Sequence, residues 1–221
     1  MRSAAVLLGL VVASAAASPS GILGRAGRAG RAAVHNKRTT DIAQLYAYGT
    51  NISGLAVYAG PDNLAYVATA DAATNLTAMT WTIDASGTNA WTVSANATTP
   101  PATNPSSSLA PGSTFYIVSG SANGESFTQA GFASNMSSAP AGAMTTGFVT
   151  YGPTVMVIAA ETDSGEDGND AGKTTYASEF WASATDTDGV WTLMWNEAGT
   201  AQDNSVPLTI KTTAPMGSEL A

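Results

Sequence analysis

The chain has 221 residues, 44% of them apolar, with no cysteine, one histidine and a formal net charge of −8. Six of its eight basic residues and the histidine, His35, precede residue 39, so segment 39–221 keeps Lys173 and Lys211 against all sixteen acids, a net charge of −14. In that segment a Ser-His-Asp triad, an imidazole zinc site, a thiol nucleophile and an arginine clamp are excluded for want of the side chains, and its negative surface repels nucleic acid and anionic membranes.

Met1-Arg2-Ser3, followed by the apolar or small run Ala4 to Ala17, reads as a signal peptide on residues 1–17. Ala15-Ala16-Ala17 supplies the small-x-small cleavage pattern, with the cut after Ala17. The run is 14 residues long, too short to span a bilayer, and no later stretch of about 18 apolar residues replaces it. Secretion to the extracellular space or cell wall without membrane insertion is therefore expected. Residues 18–38 hold the repeat Gly24-Arg25-Ala26-Gly27-Arg28-Ala29-Gly30-Arg31 and end in Lys37-Arg38. They read as a basic propeptide removed at the dibasic pair. Electrostatic binding of nucleic acid by the Gly/Arg tract is the rival reading, disfavoured by secretion. What remains, 39–221, is long enough for one domain held by burial alone, with no disulfide.

Strands are predicted near residues 42–48, 55–59, 64–69, 76–83 and 90–95, then near 114–119, 126–132, 144–151, 154–160, 175–184, 190–196 and 206–212, because short β-branched and aromatic runs alternate with Gly, Pro, Asn and Asp. No window sustains a helical stripe. In Met79-Thr80-Trp81-Thr82-Ile83 large apolar residues alternate with threonine, as a half-buried strand requires, and Trp191, Leu193 and Trp195 repeat the pattern. Val155-Met156-Val157-Ile158-Ala159 is apolar on both faces, which suits a central strand covered on each side. Together these predict an all-β fold, a two-sheet antiparallel sandwich of jelly-roll or lectin-like kind. The Pro/Ser/Thr-rich stretch 98–112 is expected to be a surface loop within the domain.

Four sequons, at Asn51, Asn75, Asn96 and Asn135, lie near predicted strand ends or turns, and at least two of them are expected to carry N-glycans. The acidic stretch Glu161 to Asp170 clusters oxygen ligands, Asp163, Asp167 and Asp170 among them, around glycines as a calcium loop does. Its spacing fits poorly: counted from Asp163, glycine holds the third place and Thr174 the twelfth, where a bidentate acid belongs. A solvated, charge-extended loop is the favoured reading, with no cofactor.

Glycoside hydrolysis needs two facing carboxylates, and Glu179 and Glu197 are the first pair to test. If Asp188-Gly189 is a two-residue hairpin turn, Phe180 lies opposite Glu197, and Glu179 and Glu197 project to opposite faces. Glu125 and Glu161 have nothing in the sequence to pair them. Of the tryptophans at 81, 91, 181, 191 and 195, most are expected in the core. The same register puts Trp181 on the face opposite Trp191 and Trp195, which makes Trp181 the candidate for an exposed, sugar-stacking ring.

Three stretches, Tyr46 to Leu55, Phe180 to Trp191 and Val206 to Pro215, resemble a family of small secreted fungal proteins of uncharacterised activity. The resemblance implies an extracellular β protein and brings no catalytic motif. The function expected is a non-catalytic module that binds carbohydrate or a cell-wall polymer. A carboxylate-dependent glycan-active enzyme and a structural or host-facing protein without a small ligand are the alternatives.

Overall fold

Every predicted strand segment contains a strand, but four of the twelve each contain two. The computed structural model describes residues 39–42, 44–96, 109–120, 126–159 and 174–216, all within one compact unit. Sixteen strands are present among them: β1 (Thr39–Ile42), β2 (Tyr46–Gly49), β3 (Ile52–Ala59), β4 (Ala65–Ala68), β5 (Met79–Asp84), β6 (Thr92–Ala95), β7 (Ser113–Val118) and β8 (Phe127–Gln129), followed by β9 (Gly131–Ala133), β10 (Ala143–Met144), β11 (Phe148–Tyr151), β12 (Thr154–Ala159), β13 (Thr175–Ala177), β14 (Phe180–Ala184), β15 (Val190–Asn196) and β16 (Ser205–Lys211). No helix of the described residues is long and apolar enough to cross a membrane.

The strands form two antiparallel sheets. The smaller runs β1-β5-β6-β7-β10, with β9 also on β7. The larger has ten strands, and here a plain sandwich gives way to a barrel. The path β2-β3-β4-β15-β14-β16 closes on itself because β16 pairs β14 through Ser205 to Leu208 and β2 through Leu208 to Lys211. Closure removes the two free edges that this six-stranded path would otherwise leave on β2 and β16, one of the ways a β protein protects unpaired backbone.

Parity around the ring shows why the sequence closes this way. Ala47 faces Ile210, Val57 faces Val67, Ala59 faces Ala65, Ala182 faces Leu193, and Phe180 faces both Trp195 and Leu208. All are buried. Alanine sits at four of these positions and large rings at two, the mixture of sizes a narrow barrel interior needs. Phe180 and Trp195 meet edge to face at 5.1 Å. One extra residue, Gly54, bulges between Ser53 and Leu55, which pair with Tyr48 and Ala47. Its φ of +69° is open to glycine and strained for other residues, and Pro215 packs directly on it.

The smaller sheet lays Met79, Trp81, Ile83, Val93, Phe115, Ile117 and Phe132 on the same core, all from one face. Trp81, Phe115 and Phe132 form a mutual triangle of rings at 5.3 to 5.8 Å, and Phe148 extends it to Trp91. The chain is stitched between sheets at three of the four places where a predicted strand breaks in two, between β1 and β2, β8 and β9, and β10 and β11. Ala130 is one such pivot: its N–H donates to Leu193 O and its carbonyl accepts from Ala65 N, both at 2.9 Å, while β8 pairs β15 and β9 pairs β7. Hydrophobic periodicity is blind to these switches, because alternation along a strand does not record which sheet the strand joins.

The tight loop after β5 is a second point of attachment. Asp84 accepts hydrogen bonds from Ser86 N (2.9 Å), Ser86 Oγ (2.5 Å), Asn89 N (3.0 Å), Asn89 Nδ2 (2.8 Å) and Thr88 Oγ1 (3.2 Å). Its carbonyl accepts from Trp91 Nε1 at 3.0 Å. The loop then lies against Ile158 and Val149, and Gly87 O accepts from Gly147 N at 2.8 Å. This half-covers the second face of β12, where Val155 and Val157 are buried but Met156 and Ile158 are not fully so.

Candidate functional site

The β14–β15 hairpin pairs Phe180 with Trp195, Ala182 with Leu193 and Ala184 with Trp191, two residues out of the predicted register. The connection is longer than Asp188-Gly189 because Thr185 caps it, its hydroxyl donating to Val190 O at 2.8 Å, and Val190 N bonds back to Thr187 O. A two-residue slip preserves which face each side chain takes. Glu179 and Glu197 lie just beyond the paired residues: Asn196 N donates to Glu179 O, and Glu197 Oε2 accepts from Ser119 Oγ (2.9 Å) and Gly120 N (2.6 Å). Glu125 and Glu161 lie outside the described residues.

Trp181 does take the face opposite Trp191 and Trp195, as its parity requires, but it is not exposed. Only 8% of it is accessible, because Phe127, on β8 two strands along in the same sheet, meets the indole edge to face at 6.4 Å. The expectation of an exposed Trp181 is thereby corrected. Trp81, Trp91 and Trp195 are core residues and Trp191 is half-buried. Asp163, Asp167 and Asp170 lie outside the described residues, as do Ala17, Lys37 and Arg38. Among the described residues no three acidic side chains gather as a metal site would require. Asn51, Asn75 and Asn135 are exposed and Asn96 is half-buried. Asn51 sits in the two-residue turn between β2 and β3, and Asn135 caps a short 3-10 turn by accepting from Ser138 N at 3.0 Å.

The aromatic surface lies elsewhere and is made of tyrosine. Following the register across the ten-stranded sheet, Tyr151 faces Thr154, Thr154 faces Lys211, Lys211 faces Tyr46, and Tyr46 faces Ala56. Tyr48 lies one pleat along from Tyr46, Tyr58 one pleat along from Ala56 and directly opposite Tyr66, and Tyr176 opposite Ile158. Six of the seven tyrosines thus share the face turned away from the barrel interior. Tyr151 is 78% exposed and Tyr176 53%, while Tyr46, Tyr48, Tyr58 and Tyr66 are half-buried.

Local contacts orient these rings. Lys211 Nζ sits 4.8 Å above the centroid of Tyr48, a cation–π contact, and Tyr48 Oη donates to Thr213 O at 3.2 Å. Tyr66 Oη donates to Asp62 Oδ2 at 2.7 Å, and Asp62 Oδ1 is fixed by Leu64 N at 3.1 Å. Burial, and then the neighbouring Tyr46, push the Tyr48 and Tyr58 hydroxyls above their ordinary range. Burial, and then Asp62, do the same to Tyr66, against a smaller opposing effect of Gln129. These three phenols stay protonated at physiological pH and present apolar ring faces with hydroxyls able to donate and accept. The signal was present in Tyr46-Ala47-Tyr48, where spacing by two puts both rings on one face. The remaining tyrosines are brought to that face by cross-strand pairing over long sequence separations.

The chain matches no family model, no curated protein and no solved structure.

Proposed function

We propose that the folded body is a secreted, non-catalytic binding module that engages a carbohydrate or cell-wall polymer through the tyrosine face of its ten-stranded sheet. One observation carries this reading: six tyrosines share a single face, two of them largely exposed, around Lys211, the sole Lys or Arg among the described residues. Aromatic faces stack on the C–H faces of sugar rings, and flanking hydroxyls, with Asp62 and Lys211, supply the hydrogen bonds that orient them. An extended row across several strands, about 4.8 Å apart, suits a polymer better than a monosaccharide. The strong negative charge of segment 39–221 favours a neutral polymer over an acidic one.

Co-sedimentation with insoluble chitin, cellulose, β-1,3-glucan and mannan, beside a glycan array, tests the reading. The wild-type protein is expected to bind at least one of these without releasing soluble sugar. Combined Tyr46→Ala, Tyr48→Ala and Tyr151→Ala should weaken binding at least tenfold, equivalent to about 1.4 kcal/mol, with circular dichroism unchanged. Binding that ignores all three substitutions, or no binding to any polymer, overturns the proposal. Release of soluble product would favour the carboxylate-dependent enzyme instead.

A further inference from the structure

We propose that hydrolysis of the Arg38–Thr39 peptide bond completes the fold, because the α-ammonium group it leaves on Thr39 pairs with the buried carboxylate of Asp84. The proposal is independent of the glycan reading. It starts from the register of β1, which begins at Thr39 and sets Thr39 directly opposite Asp84. Residues so paired have Cα atoms about 4.5–5.5 Å apart. The strands are antiparallel, so the N-terminal end of β1 lies beside the C-terminal end of β5, where the Asp84 loop departs. An amine at that end emerges next to the carboxylate.

Asp84 is a buried charge with room for a cation beside it. It is only 4% exposed, and a buried charge ordinarily has an opposite charge beside it. Lys211, the one described Lys or Arg, is engaged over Tyr48. The five donors around Asp84 are unevenly shared: four go to Oδ2, while among the described residues Oδ1 takes only Ser86 N–H. An ionised carboxylate offers about four lone-pair sites, so Oδ1 has an acceptor site left. The hydrogen bonds from Ser86 and Asn89 hold the carboxyl below its ordinary range against the effect of burial, and it is already charged when the amine appears.

The chemistry is plain hydrolysis. A protease specific for dibasic pairs adds one water across the amide, leaving a carboxylate on Arg38 and an ammonium on Thr39, with no change of oxidation state. In the uncleaved chain that nitrogen is a neutral amide, so only the cleaved form can make the ion pair.

The secreted protein has three amines if it begins at Thr39: the Thr39 α-amine, Lys173 and Lys211. Limited labelling with an acetylating ester, read by peptide mass spectrometry, should modify the Thr39 amine at least tenfold more slowly in the native protein than in urea. A Thr39 amine labelled as fast in the native as in the unfolded protein overturns the proposal, as does a secreted chain beginning elsewhere. A second arm compares the mature form with full-length protein carrying Lys37→Gln and Arg38→Gln, in which cleavage is blocked. The mature form should resist urea unfolding better, and Asp84→Asn should remove that difference. Equal stability of the two forms, or a difference that survives Asp84→Asn, defeats the idea. The labelling arm stands even where Asp84→Asn fails to fold.

Discussion

Replacing Asp84 with alanine tests how far one buried carboxylate organises the junction between the two sheets. The substitution strips the acceptor from two backbone N–H groups, Ser86 and Asn89, and from three side-chain donors. Thr88 and Asn89 are exposed and regain water, so the cost is dominated by Ser86 and by the lost shape of the loop. An unsatisfied, partly buried donor costs about 1–3 kcal/mol, which puts Asp84→Ala at about 2–4 kcal/mol. For a domain of this size that lowers Tm by about 5–15 °C. The loop also seats Gly87 against Val149 and Ile158, so amide exchange at Gly147 and Ile158 should accelerate before global unfolding. Asp84→Asn keeps the shape and removes the charge, and its pH dependence has a fixed sign. The folded-state carboxyl is held below the ordinary value of 3.8 by the hydrogen bonds from Ser86 and Asn89. Its contribution is therefore full above about pH 4 and is lost as pH falls through the folded value. Urea titrations at pH 7, 4 and 2.5 should show the stability gap between wild type and Asp84→Asn narrowing on acidification. A gap that stays constant or widens would refute the reasoning.

Gly54→Ala should cost about 1–2 kcal/mol in urea unfolding, since it places a side chain at φ +69° and drives a Cβ to 2.5 Å from Pro215 Cγ. Adding Pro215→Gly, which removes the ring and its Cβ, should recover the steric part and leave the backbone part. Trp91→Phe should destabilise by about 1–2 kcal/mol more than Trp81→Phe, because Trp91 Nε1 donates to Asp84 O whereas Trp81 Nε1 is buried with no partner among the described residues. Equal losses would contradict that assignment. Release by a peptide-N-glycosidase, which hydrolyses the side-chain amide, with peptide mapping should find Asn51, Asn75 and Asn135 converted to aspartate, since all three are exposed, and a secreted protein with none of them converted would defeat the glycan expectation.

Alternation made most strands legible, and Met79 to Ile83 folds with Met79, Trp81 and Ile83 inward and both threonines half-buried. Barrel closure could not be read from it. Closure depends on β16 using Leu208 twice, opposite Phe180 on one side and Gly49 on the other, and a strand's partners leave no trace in its own periodicity. The same blindness merged β1 with β2, β8 with β9, β10 with β11, and β13 with β14. The placing of Trp181 on the face opposite Trp191 and Trp195 was legible despite the wrong turn, because the error was an even number of residues and face parity is insensitive to that. The burial of Trp181 was not, since it is Phe127, fifty-four positions earlier, that covers the ring.

The contrast between the two outer faces is the strongest reason to assign a task to the tyrosines. A narrow closed barrel has no room for a phenol and no partner for its hydroxyl, so tyrosine is driven outward for reasons of packing alone. Packing does not choose tyrosine over threonine for an outward position. Across β5 and β6 the smaller sheet shows the ordinary solution, an outward row of Thr80, Thr82, Thr92 and Ser94, and its one outward tyrosine, Tyr116 on β7, is buried. The larger sheet, in the same chain and the same solvent, instead gathers rings from β2, β3, β4, β11 and β13 around Lys211. Replacing Tyr46, Tyr48 and Tyr151 with threonine should make the second face resemble the first. If those rings serve binding, such a protein keeps its stability to within about 1 kcal/mol, as surface substitutions usually do, and loses its polymer. If they serve the fold, urea unfolding shifts by more than that and polymer binding, where present, survives in the fraction that folds.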